Sequence, residues 1–418
     1  MKRTQRLLLL TPLFAALAAC MGGIQPTALQ SKASDTNLQQ HEEFRGGEVE
    51  SSDQEHWYRE LRLSDWKALG VTESDFDTVL PRINSSSPLR DTITVYGPGH
   101  WTYEWTRHAE KVASQQPPSA QTAALLQRVS GLYLTASYPN LLSDHEQAAL
   151  RNAVDYYVKA GLNMGQRIAV IDMPLSQGGS IKGLLHLPRQ LAENDKKLPV
   201  ILWTGGVDKT LVEHFQSAKK YTDTGYAVIT FDIPGGGLNR ALKVSPGTEA
   251  EAHNAALAYV KNSTLLNEKR VAALSSSGGG LSLMEFTVAT PELKAVVARC
   301  ALVDGVLTQP EKLQYLPAMS VDSFFARQGL TYKGLDNPGR YTIPLSLKTK
   351  GYFDGKPHTS VPLLVINTKD DPVASPKDMR ATAAMSSDSE IAFFGEAGHC
   401  PEGAEAENKI YRFITERI

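Results

Sequence analysis

From Gly165 to the C-terminus the chain is made of short unbroken apolar runs separated by stretches of helical period, a pattern that few architectures satisfy. The runs are "QRIAVIDMPL", "GSIKGLLHLP", "LPVILWTGG", "YAVITFDIPG", "RVAALSSS", "LKAVVARCAL" and "VPLLVINTKDD", with "SEIAFF" behind them. The first two are joined through Gly178 and Gly179, and "TEAEAHNAALAYVKN" is one of the helical stretches between later ones. A strand that is apolar on both faces must be covered on both. The alternation therefore predicts an α/β fold with a mostly parallel central sheet and helices on both faces. Right-handed crossovers then bring the C-terminal ends of the parallel strands to one rim, so chemistry is expected directly after each run.

Four of those ends carry suggestive residues. "VAALSSSGGGLSL" places three serines and three glycines where a strand gives way to an apolar restart. A nucleophile elbow needs such room, because its Ser sits on a sharp strand-to-helix turn in a Gly-x-Ser-x-Gly setting. Centred on Ser277 the second Gly is present as Gly279, while Ser275 stands for the first. Ser275 and Ser276 are rivals, but only Ser277 is followed by x-Gly in register. After "VPLLVINT" comes Lys369-Asp370-Asp371-Pro372-Val373, and after "SEIAFF" comes Gly395-Glu396-Ala397-Gly398-His399. The chain order Ser, Asp, His is that of an α/β-hydrolase triad. A histidine suits the base because its ordinary pKa lies near neutrality. Asp371 is preferred to Asp370 as the acid because it directly precedes Pro-Val. The glycines of "LWTGGVD" let backbone approach a developing oxyanion, which makes Gly206 or Val207, with Gly278, the candidate oxyanion hole.

Upstream, residues 55–165 read as an α-helical domain beside the hydrolase domain at 166–418, with an insertion at about 305–358. Ser143-Asp144-His145-Glu146 has the spacing of a capping box. The aromatics Trp101, Tyr103 and Trp105 are expected near the active-site mouth, with Phe324, Phe325 and Tyr332 as candidate pocket walls. At the N-terminus, Lys2, Arg3 and Arg6 precede an apolar run from Leu7 to Ala19, a secretory signal too short to span a membrane. It ends Leu17-Ala18-Ala19-Cys20, which resembles a bacterial lipobox and makes Cys20 the expected lipidation site after a signal peptide at 1–19. Residues 20–54 read as a flexible tether, and the location as the cell envelope, lipid-anchored. Cys300 and Cys400 are then left as either a disulfide or two thiols.

The chain has 418 residues, 42% of them hydrophobic, and a formal net charge of −2, a balance with no electrostatic footprint for nucleic acid. No cofactor or metal is expected: His100, His108, His145, His186 and His214 lack ligand partners at short intervals, and "IPGGGLN" lacks the Lys-Ser/Thr of a phosphate loop. Whether the protein is a monomer or a homodimer stays open.

The stretches "YGPGHWTYEWTRHAEK", "ILWTGGVDKTLVEHF", "YAVITFDIPGGG", "RVAALSSSGGG" and "SVPLLVINTKDDPVASP" together resemble the fermentation–respiration switch protein family of α/β-hydrolases, esterases close to the pseudooxynicotine hydrolases. The resemblance runs from about Trp57 to the C-terminus. It implies an α/β-hydrolase fold with an N-terminal helical domain, the active site between the two, and carboxylic-ester hydrolysis. Ser275 in place of the first elbow Gly and the lipoprotein-like leader are departures from the family pattern. The expected activity is cleavage of a small-molecule ester by Ser277, His399 and Asp371. The alternatives are C–C or amide hydrolysis by the same residues, or a non-catalytic binding protein on a hydrolase fold.

Overall fold

The computed structural model describes residues 42–44, 61–83, 95–115, 121–139, 143–190 and 197–418. The expected signal peptide, Cys20 and most of the expected tether lie outside the described residues. Each apolar run forms a strand: β1 (Arg167–Pro174), β2 (Ser180–Leu187), β3 (Leu198–Thr204), β4 (Ala227–Phe231), β5 (Leu266–Ser276), β6 (Ala295–Arg299), β7 (Leu363–Asn367) and β8 (Ser389–Phe393). They make one sheet in the order β1-β2-β4-β3-β5-β6-β7-β8. The β1–β2 and β2–β4 pairs are antiparallel, and every later pair is parallel. This is the α/β-hydrolase fold.

Alternation along the central strands decides which helices cover which face. Val200 and Leu202 of β3 join one core cluster, with α7 (Glu251–Asn262) and α8 (Gly280–Ala289). Their neighbours Ile201 and Trp203 point the other way, into a cluster with α6 (Phe215–Thr222) and α13 (Ala404–Thr415). With both faces covered, β3, β4 and β7 are buried along their whole length, which is why they read as unbroken apolar runs.

Among the described residues five α-helices precede the sheet: α1 (Leu61–Ala68), α2 (Glu73–Val79), α3 (Trp101–Ala113), α4 (Thr122–Ser137) and α5 (Asp144–Asn163). The box at the start of α5 forms as expected, with Ser143 Oγ accepting from the His145 N–H and Glu146 reaching back to the Ser143 N–H. Their core centres on Trp66, Trp101 and Trp105, all with no exposed surface. Trp101 and Trp105 thus anchor this helical core and do not stand at the active-site mouth, a correction to the sequence expectation. Leu184 of β2, Phe215 of α6 and Met319 belong to the same cluster, so the helical part and the sheet pack as neighbours.

Between β6 and β7 the chain makes a long excursion through α9 (Gly305–Thr308), α10 (Ala318–Ala326) and α11 (Gly339–Thr342); α12 (Pro376–Ala384) follows β7. The tether expectation also needs amending at one point. Phe44 is 1% exposed and packs against Gly305, the Lys312 ammonium donates to its carbonyl at 2.6 Å, and the Lys377 N–H donates to the Glu42 carbonyl at 3.0 Å. Residues 42–44 are therefore docked, held by one aromatic ring in an otherwise polar stretch.

Inside the helical part, the fully buried Asp75 carboxylate accepts from Thr72, from His108 at 2.6 Å and from Arg128 at 3.0 and 2.5 Å. Burial alone would raise its pKa, but the bonds from His108, Arg128 and Thr72 hold it well below the usual carboxylate range. Its contribution to stability is accordingly present above the unfolded pKa of about 4 and lost as pH falls below it. Asp75→Ala is expected to cost about 3 kcal/mol in chemical denaturation at pH 7, because it leaves Arg128 and His108 without their shared acceptor. A loss below about 0.5 kcal/mol would show that the cluster contributes nothing to stability.

Candidate active site

Ser277 directly follows β5 and opens the turn into α8 with φ +49°, a left-handed backbone that side-chain-bearing residues seldom adopt. Tight packing around the turn explains the glycines behind it. A Cβ at Gly278 would lie 2.2 Å from Val207 Cγ1, and one at Gly279 would lie 2.4 Å from the Gly205 carbonyl and 2.5 Å from Ser275 Oγ. Neither position can hold a side chain.

Ser275 has no exposed surface, and its hydroxyl pairs with Thr204 Oγ1 on the neighbouring strand, where the two residues are register partners. The hydroxyl that departs from the elbow pattern is thus absorbed by the end of β3 and is kept from the site. Ser276 lies at the site's edge, but only Ser277 is bonded to the histidine.

Ser277 Oγ and His399 Nε2 are 2.7 Å apart, and His399 Nδ1 lies 2.9 and 3.1 Å from the two Asp371 oxygens. A carboxylate only accepts, so Nδ1 carries the proton toward Asp371 and Nε2 is left to accept from the Ser277 hydroxyl. Asp371 is fully buried and is aimed by two backbone donors, the N–H of Val373 at 2.8 Å and of Ala374 at 3.1 Å. The Pro-Val turn thus orients the acid. The rival Asp370 pairs by its backbone with Glu396 at 2.8 Å, while His399 Nδ1 faces Asp371.

The other expected residues gather at the same point. A Cβ at Gly206 would be 3.3 Å from Ser277 Cβ, and the backbone nitrogen of Val207 lies 3.2 Å from the Cβ position of Gly278. Gly206, Val207 and Gly278 therefore bring backbone close to Ser277, with no side chain on either glycine.

Of two further features, the sequence left the first open and did not indicate the second. Cys300, just past β6, and Cys400, next to His399, form a disulfide with a Cα–Cα distance of 4.9 Å. Two residues past Cys300, the Leu302 N–H donates to the Ser277 carbonyl at 2.9 Å. One short segment thus braces the elbow and ties down the histidine loop. The second feature is a buried ion network behind the β3 loop. Arg62 of α1 is 1% exposed and bonds Asp65 at 2.9 Å and Glu213 at 2.7 Å, while Lys209 reaches Asp65 at 3.2 Å. Burial opposes the Arg62 charge, but Glu213 and Asp65 raise its pKa well above its ordinary value, and burial raises that of Glu213.

A cavity opens beside Ser277 and His399. Leu302, Val306, Leu313, Val321 and Phe324 give it apolar walls, so the 305–358 excursion builds most of it. Of the expected aromatics, Phe324 lines it, while Phe325 stacks on Tyr332 at 5.1 Å in the core behind. The helical part supports this wall from outside: Met319 of α10 belongs to the helical core, and Ser323 donates to the Pro139 carbonyl.

Residues 29–394 match the family model described as "Esterase FrsA-like". Esterase FrsA of Photobacterium profundum is 28% identical over 336 residues, covering 76% of this chain and 78% of that protein. Esterase FrsA of Enterobacter sp. is 27% identical over 381 residues, covering 87% and 89%. Among solved structures, wild-type AbyA5 superposes with a TM-score of 0.65 at 18% identity, covering 86% of this chain and 96% of that one. The 2,6-dihydroxy-pseudo-oxynicotine hydrolase superposes with a TM-score of 0.63 at 14% identity, covering 85% and 96%. At those identities the structural likenesses speak to fold alone.

The disulfide can be checked without any assay of activity. In the unfolded, unreduced protein Cys300 and Cys400 are expected to resist alkylation and to react only after reduction. Replacing both with Ala should lower stability by about 4 kcal/mol, as for a closed loop on the order of 100 residues. Alkylation of both before reduction would disprove the bond.

Proposed function

The chain belongs to the FrsA-like esterase family, and on that footing we propose that it hydrolyses carboxylic esters with Ser277 as nucleophile, His399 as base and Asp371 as the group that orients it. The observation that carries this reading is the unbroken hydrogen-bonded chain from Ser277 Oγ through His399 to Asp371, at the mouth of an apolar cavity. A binding protein on the same fold would have no use for a buried acid aimed at a histidine that is aimed in turn at an elbow serine.

The chemistry follows from the geometry. As Ser277 Oγ attacks the ester carbonyl, its proton passes to His399 Nε2, and Asp371 stabilises the imidazolium through Nδ1–H. The negative charge that develops on the carbonyl oxygen faces the backbone N–H of Gly278 and that of Gly206 or Val207. Collapse expels the alcohol, which takes the proton from Nε2 and leaves an acyl group on Ser277. Water, deprotonated by the same nitrogen, then releases the acid and restores the serine. Because the wall carries Leu302, Val306 and Phe324, apolar acyl groups are the fitting ones.

We also propose that the mature protein starts at a lipidated Cys20 and is held at the cell envelope, on the strength of Leu17-Ala18-Ala19-Cys20 after the charged and apolar leader. An oxidising compartment there would suit the Cys300–Cys400 bond.

A fluorophosphonate probe is expected to label the protein once, at Ser277. Ser277→Ala should abolish both labelling and turnover of a short-chain aryl ester with the fold retained, and Asp371→Asn should lower kcat about 10⁴-fold through the wrong histidine tautomer. Undiminished turnover by well-folded Ser277→Ala would reject the assignment. For the anchor, the intact mass of detergent-extracted protein should correspond to a chain beginning at an acylated Cys20. A different first residue, or no acyl adduct, would exclude it.

A further inference from the structure

Phe44 does not line the cavity, yet it touches the segment that does at two points. At the first it packs so closely on Gly305 that a Cβ there would fall 2.5 Å from Phe44 Cβ. At the second, the ammonium of Lys312, 268 positions along the chain, donates to the Phe44 carbonyl at 2.6 Å and lies 5.6 Å from the centre of its ring. Val306 and Leu307 directly follow Gly305, Leu313 directly follows Lys312, and these three line the cavity together with Leu316.

The two halves of this wall are held differently. In α9 the Gly305 N–H donates to the Asp378 carboxylate at 2.9 Å, and the Leu307 carbonyl accepts from the Thr342 hydroxyl at 2.6 Å. The 3₁₀ turn Pro310–Tyr315 has no such ties. The bonds from the Lys312 N–H to Gln309, from the Leu316 N–H to Leu313 and from the Gln314 side chain to Glu311 all close on the turn itself. Among the described residues, the bond from Lys312 to Phe44 is the one hydrogen bond that joins residues 309–316 to a distant part of the chain. The docking of residues 42–44 in turn depends on the ring. Glu42 pairs with Arg380 and Glu43 with Lys377, but these side chains are half exposed or more, and water screens such pairs. Burial of the Phe44 ring is the stronger attraction.

We propose that Phe44 is a positioning residue for acyl specificity. From outside the cavity it clamps Gly305 and Lys312, and so fixes Leu313 and Leu316 where they meet the acyl chain of an ester. This rests on the serine-hydrolase reading, which gives the cavity to the acyl group. An apolar chain gains fully from an apolar wall that is already in place, whereas a wall that must be ordered on binding loses part of that gain to conformational entropy. With the clamp removed, the turn that carries Leu313 and Leu316 is loosened, while the bonds among Ser277, His399 and Asp371 are untouched.

The test measures kcat and KM for p-nitrophenyl hexanoate and p-nitrophenyl acetate, which share a leaving group and differ only in the length of the acyl chain. The unaltered protein is expected to prefer the hexanoate. Phe44→Ala should lower that preference about four-fold or more, the equivalent of at least one buried methylene, through a higher KM for the hexanoate with kcat nearly unchanged. Lys312→Met keeps an apolar stem against the ring, removes the bond to the Phe44 carbonyl, and should lower the preference in the same way. Phe44→Leu, which refills the site beside Gly305, should restore most of it. A merely structural Phe44 would reduce the folded fraction and so move both esters together. Fluorophosphonate labelling of Ser277 counts the folded, live sites in each variant, and if Phe44→Ala does not fold, Lys312→Met decides alone. No preference in the unaltered protein, or a preference unchanged in Lys312→Met or in folded Phe44→Ala, overturns the role of Phe44 while labelling leaves the hydrolase reading intact. Absence of labelling and of turnover for both esters in the unaltered protein would overturn the hydrolase reading itself, and the role of Phe44 with it.

Discussion

Ser277 stands at φ +49° where β5 turns into α8, a conformation that costs a residue with a side chain roughly 1–2 kcal/mol. It persists because the surroundings over-determine it. Val207 fills the place of a Gly278 side chain, the Gly205 carbonyl and Ser275 fill that of Gly279, and Leu302 holds the Ser277 carbonyl. Each of these neighbours comes from a strand end: β3, β5 or β6. The elbow is thus the point where three parallel strands are locked at a common height, and the backbone that surrounds the reacting centre is fixed by the same contacts that fix the serine.

The helical part contributes from the far side of this junction. Arg62 of α1 grips Glu213 and shares Asp65 with Lys209, both on the segment that continues from Gly206 and Val207. Met319 and Ser323 carry its support to α10, whose opposite face presents Val321 and Phe324 to the cavity. It acts as a buttress for both halves of the site and stays out of the reacting space. Its tryptophans fit that role: Trp66, Trp101 and Trp105 pack on one another at 5.5 and 5.7 Å.

What the sequence made legible was whatever follows from local pattern. Continuous apolar runs announced doubly covered strands, and the rim rule picked out Ser277, Asp371 and His399 as residues directly after three of them. Residues whose meaning depends on distant partners were opaque. Cys300 and Cys400 lie 100 positions apart, and only the assembled sheet puts the end of β6 beside the histidine loop. Trp101 and Trp105 were expected at the active-site mouth because the buried face of their helix, α3, was not visible without α1, α2 and α4. Ser275 seemed a flaw in the elbow until Thr204 appeared across from it. Phe44 was hidden by the polar residues around it, since one aromatic carries no period.

The Cys300–Cys400 bond closes a covalent ring that contains the cavity wall, Asp371 and His399, while Ser277 lies outside it. The ring also contains the exposed turn around Lys333, Gly334 and Asp336. A cut there would separate the chain into one piece bearing Ser277 and another bearing Asp371 and His399, yet the two would remain linked one residue from the histidine. Such a nicked protein would migrate as one species until reduced and keep its three central side chains in register. The covalent unity of the site then resides in one sulfur–sulfur bond.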